Sequence, residues 1–343
     1  MNNIIYQCKE SNDYDNTSLI TILIEKALGF SHLFFSTFFD AIEFVFEASI
    51  NKEICLVIDK YPYIRGQIDG CDSKLQALID KYKEISKLKL ILIGSISIME
   101  EVLEHNSPLY RRFDLSILLK QIDYYDSSKF YSSFSSDDKI RLYSVFCGGQ
   151  YYNIQIDERQ TVKENIIRLI SGTFSGLKDF VETYLKTELR RINNADIVFD
   201  TIANGAFHCS DILSKSQIET STTLNNIIQK LIKMDLVEYI CPINDKSNKR
   251  KSGYRIKDLS LRFYYNYIYK NESTHNILDD DVFYDTFIKD DFENHFVPNV
   301  FEMICKEFLI RKNRESKLNL MLLDIGTYWY DNPKEKRMDN LMW

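Results

Sequence analysis

Two polar residues stand where two buried strands are predicted to end. Asp59 follows the continuous apolar run of residues 54–58, and Ser95 comes shortly after the apolar run of residues 90–93. Parallel sheets bind ligands at the carboxyl ends of their strands, where a carboxylate and a hydroxyl would hold Mg²⁺ and contact a phosphate group. Asp59 would equally cap the next turn and Ser95 the next helix. The spacing leaves both interpretations open.

The segments around these two residues predict how they are positioned. Phe38, Ile42 and Val45 recur at helical spacing before the first strand, and residues 73–87 show a second helical pattern between the strands. An alternation of strand, helix and strand is typical of a parallel sheet. The fold class predicted for this part is therefore α/β, with a partial parallel sheet.

A cluster of cations in the middle of the chain forms a second candidate site. Its members are Lys246, Lys249, Arg250, Lys251 and Arg255. They occupy or border a polar turn between two short predicted strands, residues 237–241 and 253–256. Three short predicted helices precede these strands, beginning at Ala195, Cys209 and Thr222. Three helices followed by a hairpin predict a winged helix.

A winged helix binds DNA by placing its third helix in the major groove and its hairpin on a phosphate. The cationic turn suits that role, but the third predicted helix, residues 222–233, contains no Arg to bind guanine. The alternative is that this module packs as a regulatory element with a solvated hairpin. We therefore expect DNA as a partner only if it binds this local cluster of cations.

Bulk composition narrows the class of protein. The 343 residues are 45% hydrophobic and 27% charged, and their net charge of -7 argues against a general affinity for nucleic acid. No apolar run reaches the ~18 residues that span a bilayer, and the residues after Met1 do not read as a signal peptide. The seven cysteines contain no CxxC pair. We therefore expect a cytoplasmic protein with reduced thiols and no membrane partner.

Several segments, taken in order, resemble one family. They are LVIDKYPYI at 56–64, LIGS at 92–95, SPLYRR at 107–112, CGGQYY at 147–152 and GYRIKDLSLRFYYNYI at 253–268. Together they resemble the archaeal-type P-loop ATPase family with a C-terminal DUF234 domain, in the AAA/STAND branch. The resemblance implies ATP and Mg²⁺ as cofactors of the family, with Asp59 as the Walker B carboxylate and Ser95 as a sensor. It adds Arg111 and Arg112, in the SPLYxR segment, to the candidate residues.

Departures from the family pattern decide the expected activity. A phosphate-binding loop needs GxxxxGK[ST], whose amides and Lys hold the phosphates, and the sequence contains no Gly-Lys dipeptide. Lys60 stands where the family has the Glu that polarises the attacking water. We expect a degenerate binding or regulatory module that holds no cofactor as written and does not hydrolyse ATP. The alternatives are a fragment of an active ATPase whose P-loop is encoded upstream of Met1, and a DNA-binding winged-helix protein linked to a nuclease-like tail.

The last part of the chain resembles the beginning of a restriction-endonuclease-like α/β domain. Such domains hold a divalent metal with a helix Glu and strand carboxylates, and Glu302 and Asp339 match the first two ligands. A helix is predicted to open at Phe301, where the helix dipole alone would also favour Glu302. Arg337 stands where the family has a Glu, so we expect an incomplete metal site and no cleavage of DNA.

The predicted architecture has four parts. They are a truncated ATPase core (1–125), a helical lid (126–192), the winged helix (193–258) and an incomplete DUF234-like domain (259–343). A partial sheet leaves an unpaired apolar edge. We therefore expect self-association, or a protein partner that completes the first sheet.

Overall fold

The computed structural model describes residues 2–178, 181, 183, 189, 192–332 and 337–342. It divides the chain into two compact units, Met1–Leu118 and Leu119–Trp343. The finer boundaries expected at 125, 192 and 258 stay predictions. Within the described ranges, no helix is both long enough and apolar enough to cross a membrane.

A three-stranded parallel sheet with the order β1–β2–β3 organises the first unit. The predicted parallel sheet and the predicted helices on either side of β2 are confirmed. The strands are β1 (Asn2–Gln7), β2 (Ile54–Asp59) and β3 (Leu88–Leu92). The helices are α1 (Asp13–Leu28), α2 (Phe38–Ala48), α3 (Tyr61–Gln67), α4 (Cys71–Tyr82) and α5 (Ile96–Leu103).

The helices of the first unit pack on one face of this sheet. Ile4 and Tyr6 of β1 and Ile58 of β2 point into that core and are buried. Ile5 and Ile91 point to the opposite face and are 66% and 46% exposed, because successive side chains of a strand alternate between faces. Within the described part of the unit, one face of this sheet is therefore not covered by helices, and β1 and β3 each pair with β2 on one side.

The second unit begins with short helices. The helical prediction for residues 126–191 is confirmed over residues 126–178, and most of residues 179–191 lie outside the described residues. They are α6 (Tyr124–Ser127), a 3₁₀ turn (Ser128–Tyr131), α7 (Ser136–Phe146), α8 (Gln150–Asn153) and α9 (Val162–Ile166), which continues as a π-helical turn (Ile167–Ser171). Three helices and an antiparallel hairpin follow, and each of these predicted elements is confirmed. They are α10 (Ala195–Ala203), α11 (Cys209–Ser216), α12 (Ser221–Lys233), β4 (Val237–Ile240) and β5 (Gly253–Ile256).

Helices joined by π-helical turns make up most of the remainder, and a hairpin closes it. The first group is α13 (Leu259–Phe263), a π turn (Tyr264–Ile268), a 3₁₀ turn (Tyr269–Asn271) and α14 (Glu272–His275). The second is one continuous helical stretch: α15 (Asp280–Phe283), a π turn (Tyr284–Ile288), α16 (Lys289–Asp291), a π turn (Phe292–Phe296) and α17 (Val297–Arg314). The antiparallel hairpin is β6 (Thr327–Asn332) and β7 (Arg337–Met342).

The prediction that a helix opens at Phe301 is wrong. The helical stretch opens at Asp280, after Asp279, whose side chain accepts a hydrogen bond from the Asp281 amide at 3.0 Å. Glu302 therefore lies inside α17, where no free helix amides are available, and the helix-dipole interpretation of Glu302 is wrong too.

The spacing of the buried residues explains this error. Phe283, Ile288, Phe292, Phe296 and Val300 are all buried on this stretch, although they lie four or five residues apart. A regular α-helix repeats every 3.6 residues and would move such a row off one face. The π-helical turns, whose bonds run from i to i+5, restore the row to the core. A search for helical periodicity at 3.6 residues therefore misses it.

Gly94, which follows β3, packs closely against Pro62, and a substitution at Gly94 tests this contact. A Cβ added there would lie 2.6 and 2.7 Å from Cδ and Cγ of Pro62, in the first turn of α3. The proline ring cannot move without moving α3, so we expect Gly94→Ala to destabilise the first unit by about 1–3 kcal/mol. Urea unfolding followed by circular dichroism would measure this.

Gly66→Ala is the matched control, because Gly66 lies in α3 and a Cβ there would meet nothing within 4 Å. It should stabilise the same unit by about 0.5–1 kcal/mol, the usual gain from replacing a helical glycine. Equal effects of the two substitutions would contradict the close contact with Pro62.

Candidate functional site

The carboxyl ends of β1, β2 and β3 form the first candidate site. Gln7 pairs with Asp59, and Ile58 pairs with Leu92, so the three strands end at one edge of the sheet. The pairing continues beyond the strands: the Cys8 amide donates to the Asp59 carbonyl at 2.8 Å. The expectation that Asp59 and Ser95 follow neighbouring strand ends is therefore met by the geometry.

The Asp59 carboxylate is partly exposed and bound by its neighbours. Its Oδ1 accepts from the Lys60 amide at 2.8 Å, and its Oδ2 accepts from Gln7 Nε2 at 3.3 Å. The first bond supports the interpretation that Asp59 caps the turn, since it stabilises the chain where β2 leads into α3. The second is long and exposed, so that oxygen is still accessible to a cation.

Lys60 adopts a left-handed backbone conformation, with φ of 54°, between β2 and α3. Its Nζ lies 5.4 Å from the centre of the Tyr63 ring, within the range of a cation–π contact. A cation thus occupies the position directly after Asp59.

Ser95 stands at the N-cap position of α5, and its carbonyl accepts from the Met99 amide at 3.0 Å. Its hydroxyl, however, makes no capping bond to α5. The backbone therefore fits the capping interpretation of Ser95, and the side chain does not.

A polar network that the sequence did not reveal lies next to this edge, buried at Tyr61 and exposed at Glu101. Tyr61 is 1% exposed, and its hydroxyl donates to Asp72 Oδ1 at 2.7 Å. Arg65 then joins Asp72 and Glu101, each at 2.9 Å. Burial raises the pKa of Tyr61, which keeps the hydroxyl protonated as a donor. No sequence signal identifies this network, because its members lie in three different helices.

Arg111 and Arg112 differ in their surroundings. Arg112 binds Asp80 of α4 through Nε and Nη2, both at 3.0 Å. Arg111 has a positive φ of 60°, and its guanidinium lies 5.3 Å from the centre of the Tyr110 ring. Among the described residues, no hydrogen bond joins either arginine to Asp59.

The cationic turn of the second unit is partly neutralised. Lys246 Nζ binds Asp324 Oδ2 at 2.5 Å, and Arg255 Nη2 binds Glu238 Oε1 at 2.8 Å. Lys251 is half-buried, whereas Lys249 and Arg250 are exposed. Lys249 and Arg250 have no ion-pair partner in the described part of the chain. They are therefore the cations of this cluster that are available to a ligand.

The third helix of this module, α12, presents a polar outer face. Its buried residues include Leu224, Ile228 and Leu231, on the opposite side. The exposed residues include Asn225, Asn226, Gln229, Lys230 and Lys233. Amide side chains of this kind can read the edge of adenine in a groove.

The expected metal site of the tail is not assembled by described side chains. Glu302 is exposed on α17. Asp339 pairs with Tyr330 in the β6–β7 hairpin, but the side chains of Arg337 and Asp339 lie outside the described residues. Across the described side chains there is no group of three His, Cys, Asp or Glu that could hold a metal ion.

Comparisons with known proteins agree with the fold. A Walker-type ATPase of Pyrococcus abyssi has a similar structure, with a TM-score of 0.55 and 16% identity, over 77% of this chain and 84% of that chain. The fold of this chain is thus similar to that of this Walker-type ATPase. Residues 264–342 match the DUF234 family of archaeal and bacterial proteins of unknown function. The resemblance to an ATPase family with a C-terminal DUF234 domain is thus confirmed, by the similar fold for the ATPase and by residues 264–342 for DUF234.

An uncharacterized protein of Methanocaldococcus jannaschii is also similar. The two are 28% identical over 288 residues, which cover 83% of this chain. The alignment spans 64% of the length of that protein, so the chain corresponds to a part of its archaeal relative.

The cysteines beside the candidate site should be unreactive. Cys8 and Cys71 are 1% and 3% exposed, and burial raises the pKa of Cys8 to about 12 and the pKa of Cys71 to about 11. Because the thiolate is the reactive form, we expect both to resist iodoacetamide at pH 8 until the protein is unfolded. Mass spectrometry of peptides after timed labelling would measure this.

Cys209 and Cys241 are half-buried and serve as internal controls. They should be labelled before Cys8 and Cys71. Labelling of Cys8 or Cys71 at the rate of these two would contradict a closed core beside Asp59.

Proposed function

We propose that this chain is a binding or regulatory module of a Walker-type ATPase-like protein, and that its own residues do not hydrolyse ATP. The observation that carries the proposal is the edge at the ends of β2 and β3. It presents the Asp59 carboxylate but places the Lys60 cation directly after it.

Hydrolysis of ATP needs a group that orients the attacking water and groups that neutralise the phosphates. The residue directly after Asp59 is Lys60, a cationic hydrogen-bond donor, and not a carboxylate that could orient the attacking water. The nearby carboxylates of Asp72 and Glu101 are both bound to Arg65 at 2.9 Å. With no Gly-Lys dipeptide in the sequence, no phosphate-binding loop of the Walker A type comes from these residues.

What this edge retains is a weak cation site. One exposed carboxylate oxygen can contribute a single ligand to Mg²⁺, which is held firmly only when further carboxylates or phosphates bind it. Mg²⁺-ATP should therefore bind with an affinity too low for regulation by this chain alone. A nucleotide would be held here only together with groups from another polypeptide segment.

Isothermal titration with Mg²⁺-ATP is the corresponding test. We expect no binding tighter than about 1 mM, the weak end of the affinity scale, and no release of phosphate above the buffer rate. Asp59→Asn is the matched variant, because it removes the charge and keeps the shape. Micromolar binding by the parent that is lost in Asp59→Asn would contradict the proposal.

A second candidate function is nucleic-acid binding by the module of α10, α11, α12 and the β4–β5 hairpin. Two observations favour it: the polar outer face of α12, and the exposed Lys249 and Arg250 without an ion-pair partner among the described residues. Three helices followed by a hairpin support the proposal of a winged helix, in which the third helix enters a groove and the hairpin contacts a phosphate. The neutralised Lys246 and Arg255 contribute less than their sequence positions suggest.

The salt dependence of duplex binding would test this function. Lys249→Ala/Arg250→Ala should weaken binding to all sequences alike and lower the slope of log affinity against log salt by about two phosphate contacts. Lys26→Ala/Lys52→Ala, which removes two exposed cations of the first unit, is the charge-matched control and should change the slope little. No shift of duplex DNA by the parent at low salt would exclude this function.

A further inference from the structure

The cationic turn, residues 241–252 between β4 and β5, is in contact with a segment from much further along the chain. This segment, residues 324–327, leads into β6. The two meet closely through their backbones: the Ile243 amide donates to the Thr327 carbonyl at 3.0 Å. A Cβ added at Gly326 would lie 2.3 Å from Cγ2 of Ile243, so a side chain at this glycine would displace one of the two segments.

The Asp324 carboxylate is held against the cationic turn by more than its ion pair. Its Oδ2 binds Lys246 Nζ at 2.5 Å, and its Oδ1 accepts from the Ile325 amide at 2.9 Å. Ile325 is buried and anchors the segment. An exposed ion pair by itself is weak, but these contacts keep the carboxylate in place when the lysine side chain moves. The hydrogen bond from Lys246 lowers the pKa of Asp324, so the carboxylate is charged at neutral pH.

Arg255 is also paired, but in a different way. Its partner Glu238 lies opposite it in the β4–β5 ladder, at 2.8 Å. That pair belongs to the hairpin itself and is present whenever the hairpin is folded. Lys246, in contrast, is neutralised by a residue 78 positions further along the chain. Its availability to a ligand therefore depends on whether residues 324–327 stay in contact with the turn.

We propose that Asp324 occupies on Lys246 the place that a nucleic-acid phosphate would take, so that residues 324–327 limit how tightly the cationic turn binds nucleic acid. The inference rests on the second candidate function. Carboxylate and phosphate both accept charge-assisted hydrogen bonds from an ammonium group, so they compete for Lys246. A phosphate that approaches Lys246 also meets the fixed negative charge of Asp324, and the two anions repel each other most strongly at low salt.

A disulfide tests the position of the segment without any nucleic acid. A Cβ at Gly326 would lie 3.7 Å from Cβ of Ile243, within the range of a disulfide. Ile243→Cys/Gly326→Cys, made together with Cys241→Ser to remove a neighbouring thiol, should therefore close under mild oxidation. Leu320→Cys in place of Gly326→Cys is the control, because Leu320 is 77% exposed, and it should close at least tenfold less. Equal closure of the two pairs would overturn the proposal.

The salt dependence of duplex binding by Asp324→Asn tests the competition. Removing the charge should raise the affinity about two- to fivefold at low salt, the effect of one exposed charge pair. It should also steepen the slope of log affinity against log salt by about 0.9, one phosphate contact. Lys246→Ala in the Asp324→Asn background should cancel the steeper slope. Asp290→Asn, which removes an exposed charge of α16, is the charge-matched control and should leave the slope unchanged.

The two possible failures have different signatures in fluorescence anisotropy with a labelled duplex. Suppose that the parent binds and that Lys249→Ala/Arg250→Ala lowers the slope, but Asp324→Asn binds like the parent. The competition by Asp324 is then wrong, and the second candidate function stands. If neither the parent nor Asp324→Asn binds at low salt, both are wrong.

Discussion

The parallel pairing of β1, β2 and β3 is the constraint on which the rest of the first unit depends. It brings Gln7, Asp59 and the end of β3 to one edge, and the Tyr61–Ile93 hydrogen bond extends it into α3. The contact between Gly94 and Pro62 then fixes how closely α3 approaches the end of β3. The position of Lys60 and the direction of the Asp59 carboxylate follow from this backbone path. A side chain added at Gly94 would therefore displace α3, Lys60 and the Asp59 carboxylate together.

Ion pairs neutralise several cations in each of the two units. Arg65 binds Asp72 and Glu101, Arg112 binds Asp80, Lys246 binds Asp324, and Arg255 binds Glu238. Most of these pairs are at least partly exposed, so each contributes little to stability. Their larger effect is on binding, because a cation that is already paired must lose its partner before it can bind a phosphate. The cations that remain available are fewer than a count of Lys and Arg suggests.

The first proposed function concerns the carboxyl edge of the first sheet. This edge presents the Asp59 carboxylate beside the Lys60 cation. An ATPase-like fold can therefore be present while the groups that phosphoryl transfer requires are not all supplied by the described residues.

The sequence by itself determined the local elements and their order. The apolar runs at 54–58 and 90–93 predicted the two strands, and the helix between them predicted a parallel sheet, because these signals are short-range. Residues 195–256 were predicted as three helices and a hairpin for the same reason. The prediction that both strands are buried is wrong for β3, none of whose residues is buried. The sequence also singled out Asp59 and Ser95 as candidate residues through their positions at the ends of two predicted strands, and Lys60 through the family resemblance, in which it replaces a Glu.

Only the tertiary structure decided which side chains meet. The network of Tyr61, Asp72, Arg65 and Glu101 joins three helices, and no periodic pattern encodes contacts between residues so far apart in sequence. The start of the last long helix at Asp280 was missed because its π-helical turns carry the buried row at a spacing that a regular helix does not have. Likewise, the partners of Lys246 and Arg255 became visible only when the folded chain brought Asp324 and Glu238 to them. Side-chain pairing depends on the fold of the whole unit, whereas strands and helices depend mainly on their nearest neighbours in sequence.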